Sequence, residues 1–347
     1  MTESEASIEK APMEAASLRP IQIGKITIDK PLLLAPMAGV SDYPFREIAR
    51  QQGAGLCISE MVTSKTELWH THKSAFRLPS EKDPAPRPVQ IAGADPVAMS
   101  EAAKRLVDLG AGIIDINMGC PAKKVCSKAA GSALLGNEML VAQILEAVVS
   151  AVDVPVTLKT RTGTDLANKN IVQVAKRAES IGIQALTLHG RTRACRFKGK
   201  AEYATIAKVV EALSIPVIAN GDIDSPEKAK QVLAETNAHG LMIGRAAWGK
   251  PWLFKQIDQA LTGKPVEQPS LTQIQTLIVD HLNLLHENFG DSAGVRFARK
   301  HIDKYLDGFD LTRSFRKEFN QLDSAAAQIN AVNQFFSNRL QPIPKAA

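Results

Sequence analysis

The stretch Ile113-Ile114-Asp115-Ile116-Asn117-Met118-Gly119-Cys120-Pro121 decides how this chain is read. It is a short, mostly apolar run with three isoleucines, and it ends abruptly in Gly-Cys-Pro. A run of this length and composition predicts a strand buried on both faces. The Gly and the Pro punctuate a sharp exit into a loop. A thiol, Cys120, therefore stands just past the C-terminal end of a buried strand. In a barrel of parallel strands, that is the end where chemistry is done.

Working outward, similar runs occur at residues 32–37, 55–60, 88–92, 155–159, 185–189, 215–220 and 240–244. Helical patterns separate them, among them 42–52, 98–109, 140–149, 171–180, 203–213 and 226–235. Eight short apolar strands alternating with eight amphipathic helices over about 240 residues predict an α/β fold, a closed (β/α)8 TIM barrel. An open doubly wound sheet is the alternative, but its usual GxGxxG turn is missing. Residues 244–250 match GxxxxGK, yet Pro251 stands where Ser or Thr would bind magnesium, so the match is accidental. A small hairpin around Gly24 is expected ahead of the barrel.

Residues 262–269 read as a linker. Ser270 with Gln273 forms a capping box for a new helix, and no strand pattern follows. Turns are expected near Gly290 and at 307–311. The predicted organisation is a flexible N-terminal segment (1–19), a catalytic barrel (20–262), and a linker with a small helical domain (263–347). That last domain is small enough to need support from the barrel or a partner.

The chain has 347 residues and 45% hydrophobic content, ordinary for a globular protein with a full core. No run approaches the roughly 20 apolar residues of a membrane helix. The acidic first twenty residues resemble no leader peptide, so a cytoplasmic protein is expected. Four scattered cysteines without a CxxC pair argue against a disulfide framework or a structural zinc site, and no metal is expected. A net charge of +6 is a weak pointer to a polyanionic partner.

The strand ends carry the polar residues that would meet at one barrel mouth. They are Pro36-Met37-Ala38, Gln90, Asn117, Lys159-Thr160-Arg161, His189-Gly190-Arg191-Thr192, Asn220-Gly221-Asp222 and Gly244-Arg245. Loops after the seventh and eighth strands of such a barrel commonly bind phosphate through backbone N–H groups, and Arg245 would add a charged contact. Lys159 and His189 could face an electron-rich ring edge. A flavin suits this, since positive charge there favours its anionic reduced form. Cys120 has three readings: buried filler, nucleophile, or general acid kept protonated by an ordinary thiol pKa of about 8.5.

Together the motifs APMAGVSD, PVQIAG, INMGCP, KTRTG, LHGRT, NGDI and IGRAAWGKPWLF, with Gly131-Ser132-Ala133-Leu134-Leu135, resemble the tRNA-dihydrouridine synthase family from Leu33 to about Leu253, and more loosely beyond. The resemblance implies FMN as cofactor, NADPH as reductant and tRNA as partner, with reduction of the C5–C6 double bond of particular uridines. By the same matching, Pro36, Met37, Ala38, Gln90, Lys159, His189, Asn220, Gly221, Asp222, Gly244 and Arg245 would hold FMN. Asn117 and Arg161 would grip the uracil edge, Cys120 would protonate C5, and residues 122–131 would form a mobile loop carrying that acid. Such a uridine must be extruded into the pocket, at a cost that other tRNA contacts offset. The predicted source of those contacts is a helix placing Arg296, Arg299 and Lys300 along one side, with Arg313, Arg316 and Lys317 as a second basic cluster. Asp303, Asp307, Asp310 and Glu318 interleave with them, which leaves a solvated face as the competing reading. Two functional alternatives stand beside this one. The first is a dihydroorotate-dehydrogenase-like enzyme acting on a free pyrimidine, which would not need a basic helical platform. The second is a non-catalytic RNA-binding barrel. A monomer is expected.

Overall fold

The computed structural model describes residues 18–127, 129–309 and 313–340. Most of the N-terminal segment 1–19 lies outside them. The strand Ile113–Met118 forms as expected, with all six residues buried. Its alternation explains burial on both faces. Ile114, Ile116 and Met118 point outward and join the core beneath the helices. Ile113 faces the barrel interior with Leu33, Leu56, Ala185, Ile218 and Met242. The hairpin Ile21–Ile23 and Ile26–Ile28 pairs antiparallel, and Ile21, Ile23 and Ile28 close this interior cluster from one end.

The barrel strands pair in parallel in chain order: Leu32–Leu34, a divided second strand, Pro88–Ala92, Ile113–Met118, Val156–Arg161, Ala185–His189, Val217–Asn220 and Gly240–Ile243. The last returns to the first through Met242 opposite Leu33. The second strand departs from the single run expected at 55–60. Leu56–Cys57 pairs with the first strand, and Val62–Thr63 pairs with the third. Between them the Ile58 N–H donates to Leu34 O and the Ser59 N–H to Pro88 O. The cause is polar: Glu60 bonds the Gly39 N–H at 2.6 Å and Arg77 at 2.7 Å, which pulls the chain out of the ladder.

The barrel helices are Tyr43–Gln51, Pro96–Asp108, Glu138–Val149, Ile171–Ile181, Ala204–Ala212, Pro226–Thr236 and Leu253–Leu261. Eight were expected. After the second strand there are only the turn Thr66–Leu68 and the four-residue helix His72–Ala75. That segment runs into Pro79, Pro84 and Pro86, which cannot continue a helix. The helical domain covers the gap. Its long element Leu271–Tyr305 packs on Tyr43–Gln51, and Phe289 sets its ring against Phe76 at 4.7 Å.

The capping box forms in full: Ser270 accepts from the Gln273 N–H, and Gln273 accepts from the Ser270 N–H. Gly290 breaks Leu271–Tyr305 into two arms by adopting φ 74°, ψ 168°, a conformation that favours glycine. The arms bury Ile278, Leu282, Leu285, Ala298 and Ile302 against Phe319 of Arg313–Phe319 and Phe336 of Ala325–Leu340. No described helix is long and apolar enough to cross a membrane.

Candidate active site

A cleft of about 630 Å³ opens at the C-terminal ends of the barrel strands. All eleven residues matched above to the cofactor line it, and so do Asn117, Cys120 and Arg161. Arg296, Arg299 and Lys300 do not.

Around Cys120, a one-way chain of hydrogen bonds sets the geometry. Thr157 Oγ1 donates to Asp115 Oδ1 at 2.6 Å, and Gln90 Nε2 donates to Asp115 Oδ2 at 2.7 Å. Gln90 Oε1 then accepts from Asn117 Nδ2 at 2.7 Å. Asn117 Oδ1 accepts from the backbone N–H groups of Gly119 (3.2 Å) and Cys120 (3.0 Å). The carboxylate can only accept, so it fixes which way each amide faces. Asn117 thus spends its oxygen on the Cys120 loop. It reaches the cleft with an amide nitrogen rather than a complete uracil-matching edge. Ser132 holds the other side of the loop, donating to Cys120 O from its N–H (3.0 Å) and its hydroxyl (2.9 Å). The thiol itself is half-buried. Burial pushes it above the usual thiol range, against the opposing pull of the Ala122 N–H, so it stays protonated at neutral pH. Within 122–131, Lys123–Cys126 forms one helical turn.

The cations opposite are also held in place. Lys159 Nζ donates to Asn220 Oδ1 at 3.2 Å, and Asn220 Nδ2 donates to Met242 O at 2.7 Å. Burial, then Arg161, lowers the Lys159 ammonium, while burial raises Asp115. His189 is neutral, because burial and then Lys159 hold its pKa far below the ordinary value. Arg191 Nη1 lies 3.3 Å from His189 Nε2 and can only donate, which leaves the ring proton on Nδ1. Arg161 is 1% exposed, with Nε on Gly119 O at 2.6 Å and Nη1 on Thr192 O and Arg196 O. Asp222 does not offer a free carboxylate to the cleft. Both oxygens accept from Arg191, at 2.8 and 2.7 Å, and one also takes the Ala201 N–H. Arg245 is more than half exposed at the rim.

The helix expected to contact RNA has two of its three named cations engaged. Lys300 Nζ donates to Gly39 O and to Asp42 Oδ2 (3.1 Å), on the barrel. Arg299 donates to Leu322 O at 3.3 Å. Arg316 pairs with Asp303 and Asp307. Among the cations named for RNA whose side chains are described, Arg296 and Lys317 are exposed. Lys300 therefore ties the helical domain to the barrel, and of the interleaved acids Asp303 and Asp307 pair with Arg316.

Asp115, Asp42, His281 and His301 hold the site without being among its predicted ligands. Asp115 was signalled by being the one charge in an apolar strand, which demands a partner. Asp42, His281 and His301 gather where the domains meet, with ligand atoms close enough for a metal. Their hydrogen bonds describe an anchor instead. Trp248 Nε1–H donates to His301 Nδ1 at 3.2 Å, so Nε2 carries the proton and donates to Asp42 at 3.2 Å.

The family model described as dihydrouridine synthase (Dus) matches residues 33–341. A protein of Pseudomonas syringae pv. tomato named tRNA-dihydrouridine synthase B is 57% identical over 318 residues, 91% of this chain and 94% of that one. Its counterpart in Pseudomonas aeruginosa is 56% identical over 320 residues, covering 92% and 96%. That of Vibrio parahaemolyticus is 53% identical over 319 residues, covering 92% and 99%. Among solved structures, a 2-naphthoyl-CoA reductase complex superposes with TM-score 0.54 at 13% identity, over 73% of this chain and 53% of that one. Histamine dehydrogenase from a Rhizobium species gives 0.54 at 13%, over 94% and 65%. Those two share the barrel fold; the sequence relatives share much more, and with the family model they place this chain in the dihydrouridine synthase family of enzymes.

Proposed function

We propose that this protein uses FMN and NADPH to reduce the C5–C6 double bond of specific uridines in tRNA. The observation that carries the reading is one cleft holding a protonated thiol, a cationic edge and a glycine-lined cradle of backbone N–H groups.

The residues fit a flavin nucleotide. Among the described residues, the backbone N–H groups of Gly221, Asp222 and Gly244 meet no protein acceptor, as an anion site requires. Gly221 has φ +121°, and a Cβ there would come within 2.8 Å of Ala201 and 3.0 Å of His189, so only glycine leaves this cradle open. Lys159 and His189 supply donors to a ring edge, and Asp222, already taken by Arg191, repels an anion less than a free carboxylate would. When bound, reduced FMN would supply hydride to C6 of the uracil, and NADPH would restore it.

The chain's own part is positioning and proton delivery. Arg161 and the Asn117 N–H that otherwise meets only the weak acceptor Met61 Sδ, at 3.8 Å, would orient the uracil. Cys120 Sγ–H would give its proton to C5 as C6 gains hydride, and the resulting thiolate would recover a proton from solvent. One uridine, one NADPH and one proton become dihydrouridine and NADP⁺, which balances.

Cys120→Ala should keep its flavin and still be reduced by NADPH, yet turn over tRNA about 10²–10⁴-fold more slowly, the usual worth of a general acid. Turnover at the wild-type rate would remove Cys120 from the mechanism.

A further inference from the structure

The loop Arg193–Lys200 stands at the cleft mouth. It exposes an aromatic ring, with Phe197 53% accessible, although it lines the same cleft as Cys120. Leaving a phenylalanine in water is unfavourable, and this one cannot retract. Arg161 Nη1 donates to Arg196 O at 2.8 Å, just before it. Arg191 donates to Lys198 O at 3.2 Å and Gly199 O at 2.6 Å, just after it. Both guanidiniums are buried, and Arg191 is itself fixed by Asp222. Arg196 is held at φ +51°, a conformation non-glycine residues seldom adopt. Buried charge and backbone strain are thus spent to present one exposed ring.

The surroundings identify what it is presented to. Arg193, Arg196, Lys198 and Lys200 fall within eight residues, and no acidic residue occurs between Glu179 and Glu202. Among the described residues none of these four cations has a carboxylate partner, unlike Lys300, Lys304 and Arg316 of the helical domain. Arg161 and Arg245 also flank the Phe197 ring, at 5.5 and 5.0 Å from its centroid. Arg245 also lies 3.7 Å from Asp222, but the four loop cations have no such partner among the described residues, and an exposed ring beside them suits unstacked nucleic acid, with bases on the ring and phosphates on the charges.

Resting on the functional reading above, we propose that this loop is an RNA-contact surface that captures a nucleotide flanking the extruded uridine, with its base on Phe197 and its phosphates against Arg196 and Lys198. The loop then supplies part of the affinity that extruding a base requires, beside the chemistry.

The test is fluorescence anisotropy of an unmodified tRNA transcript binding the full-length, flavin-loaded protein across a salt series. Phe197→Ala should weaken binding about tenfold, and Phe197→Trp should stay within about twofold of wild type. The double variant Arg196→Glu, Lys198→Glu should lower the slope of log affinity against log salt by about 1.4 or more, near 0.7 per lost phosphate contact. Its side chains are exposed and the clamps act on backbone, so it carries the test if Phe197→Ala does not fold. Wild-type affinity and slope in these variants would overturn the proposal and leave the functional reading intact. A wild-type protein that does not bind the transcript would overturn both.

Discussion

Two regions of this protein carry a dense run of cations, and they spend them differently. In the helix from Arg296 to Lys304, Lys300 crosses to Asp42 on the barrel, Arg299 caps a neighbouring carbonyl, and Lys304 pairs with Asp307. In the loop from Arg193 to Lys200, no cation is paired with a carboxylate among the described residues, and buried arginines brace the backbone from beneath. The helix uses positive charge to hold two domains together. The loop keeps it free. Counting charge along a sequence does not separate the cases, whereas asking whether acids interleave does: Asp303 and Asp307 lie among the helix cations, and nothing comparable lies in the loop.

This contrast can be broken most directly at Lys300. Lys300→Glu should cost roughly 3–5 kcal/mol of stability in urea unfolding, since it sets a second carboxylate beside buried Asp42 and His301. An unchanged midpoint with a flattened tRNA salt slope would mean the helix, not the loop, is the RNA surface.

A smaller effect concerns Asp42. Burial alone would raise its carboxyl, but His301 and then Lys300 outweigh this and hold it well below the usual carboxylate range. A depressed folded pKa contributes stability above the unfolded value of about 3.9 and loses it as pH falls through the folded one. The stability advantage of wild type over Asp42→Asn should therefore shrink as pH drops below about 4. An advantage that does not vary with pH would show that packing rather than charge makes the anchor.

The smallest effect is expected at Arg296, the exposed cation of the helix. Arg296→Glu should weaken tRNA binding less than the loop double variant and change the salt slope by no more than about one contact. A larger change than the loop gives would reverse the comparison.

The barrel was legible because each strand is a short apolar run ended by Gly, Pro or a polar residue. The strand ends also announced the cleft, since Lys159, His189, Asn220 and Gly244 all fall at or near the C-terminal ends of their strands. The misses have a common physical cause: they depend on partners distant in sequence. The second strand divides because Glu60 bonds the Gly39 N–H, and the helix after it is replaced by packing from Phe289. Asn117 keeps a place at the cleft, but Asp115 and Gln90 set which way its amide faces, which no local pattern announces. Lys300 looked like an RNA contact until Asp42, far earlier in the chain, took its ammonium. Phe197 went unnoticed because a lone aromatic in a basic loop acquires meaning only when the loop is braced at the cleft.

The central claim is that this cleft adds hydrogen to a uracil within tRNA, and mass spectrometry of an unmodified transcript incubated with the flavin-loaded protein and NADPH tests it most directly. The account predicts that a uridine gains two hydrogens with wild type and that the gain is slowed by orders of magnitude in Cys120→Ala. A transcript left unchanged by a protein that NADPH reduces and a free pyrimidine reoxidises would contradict it.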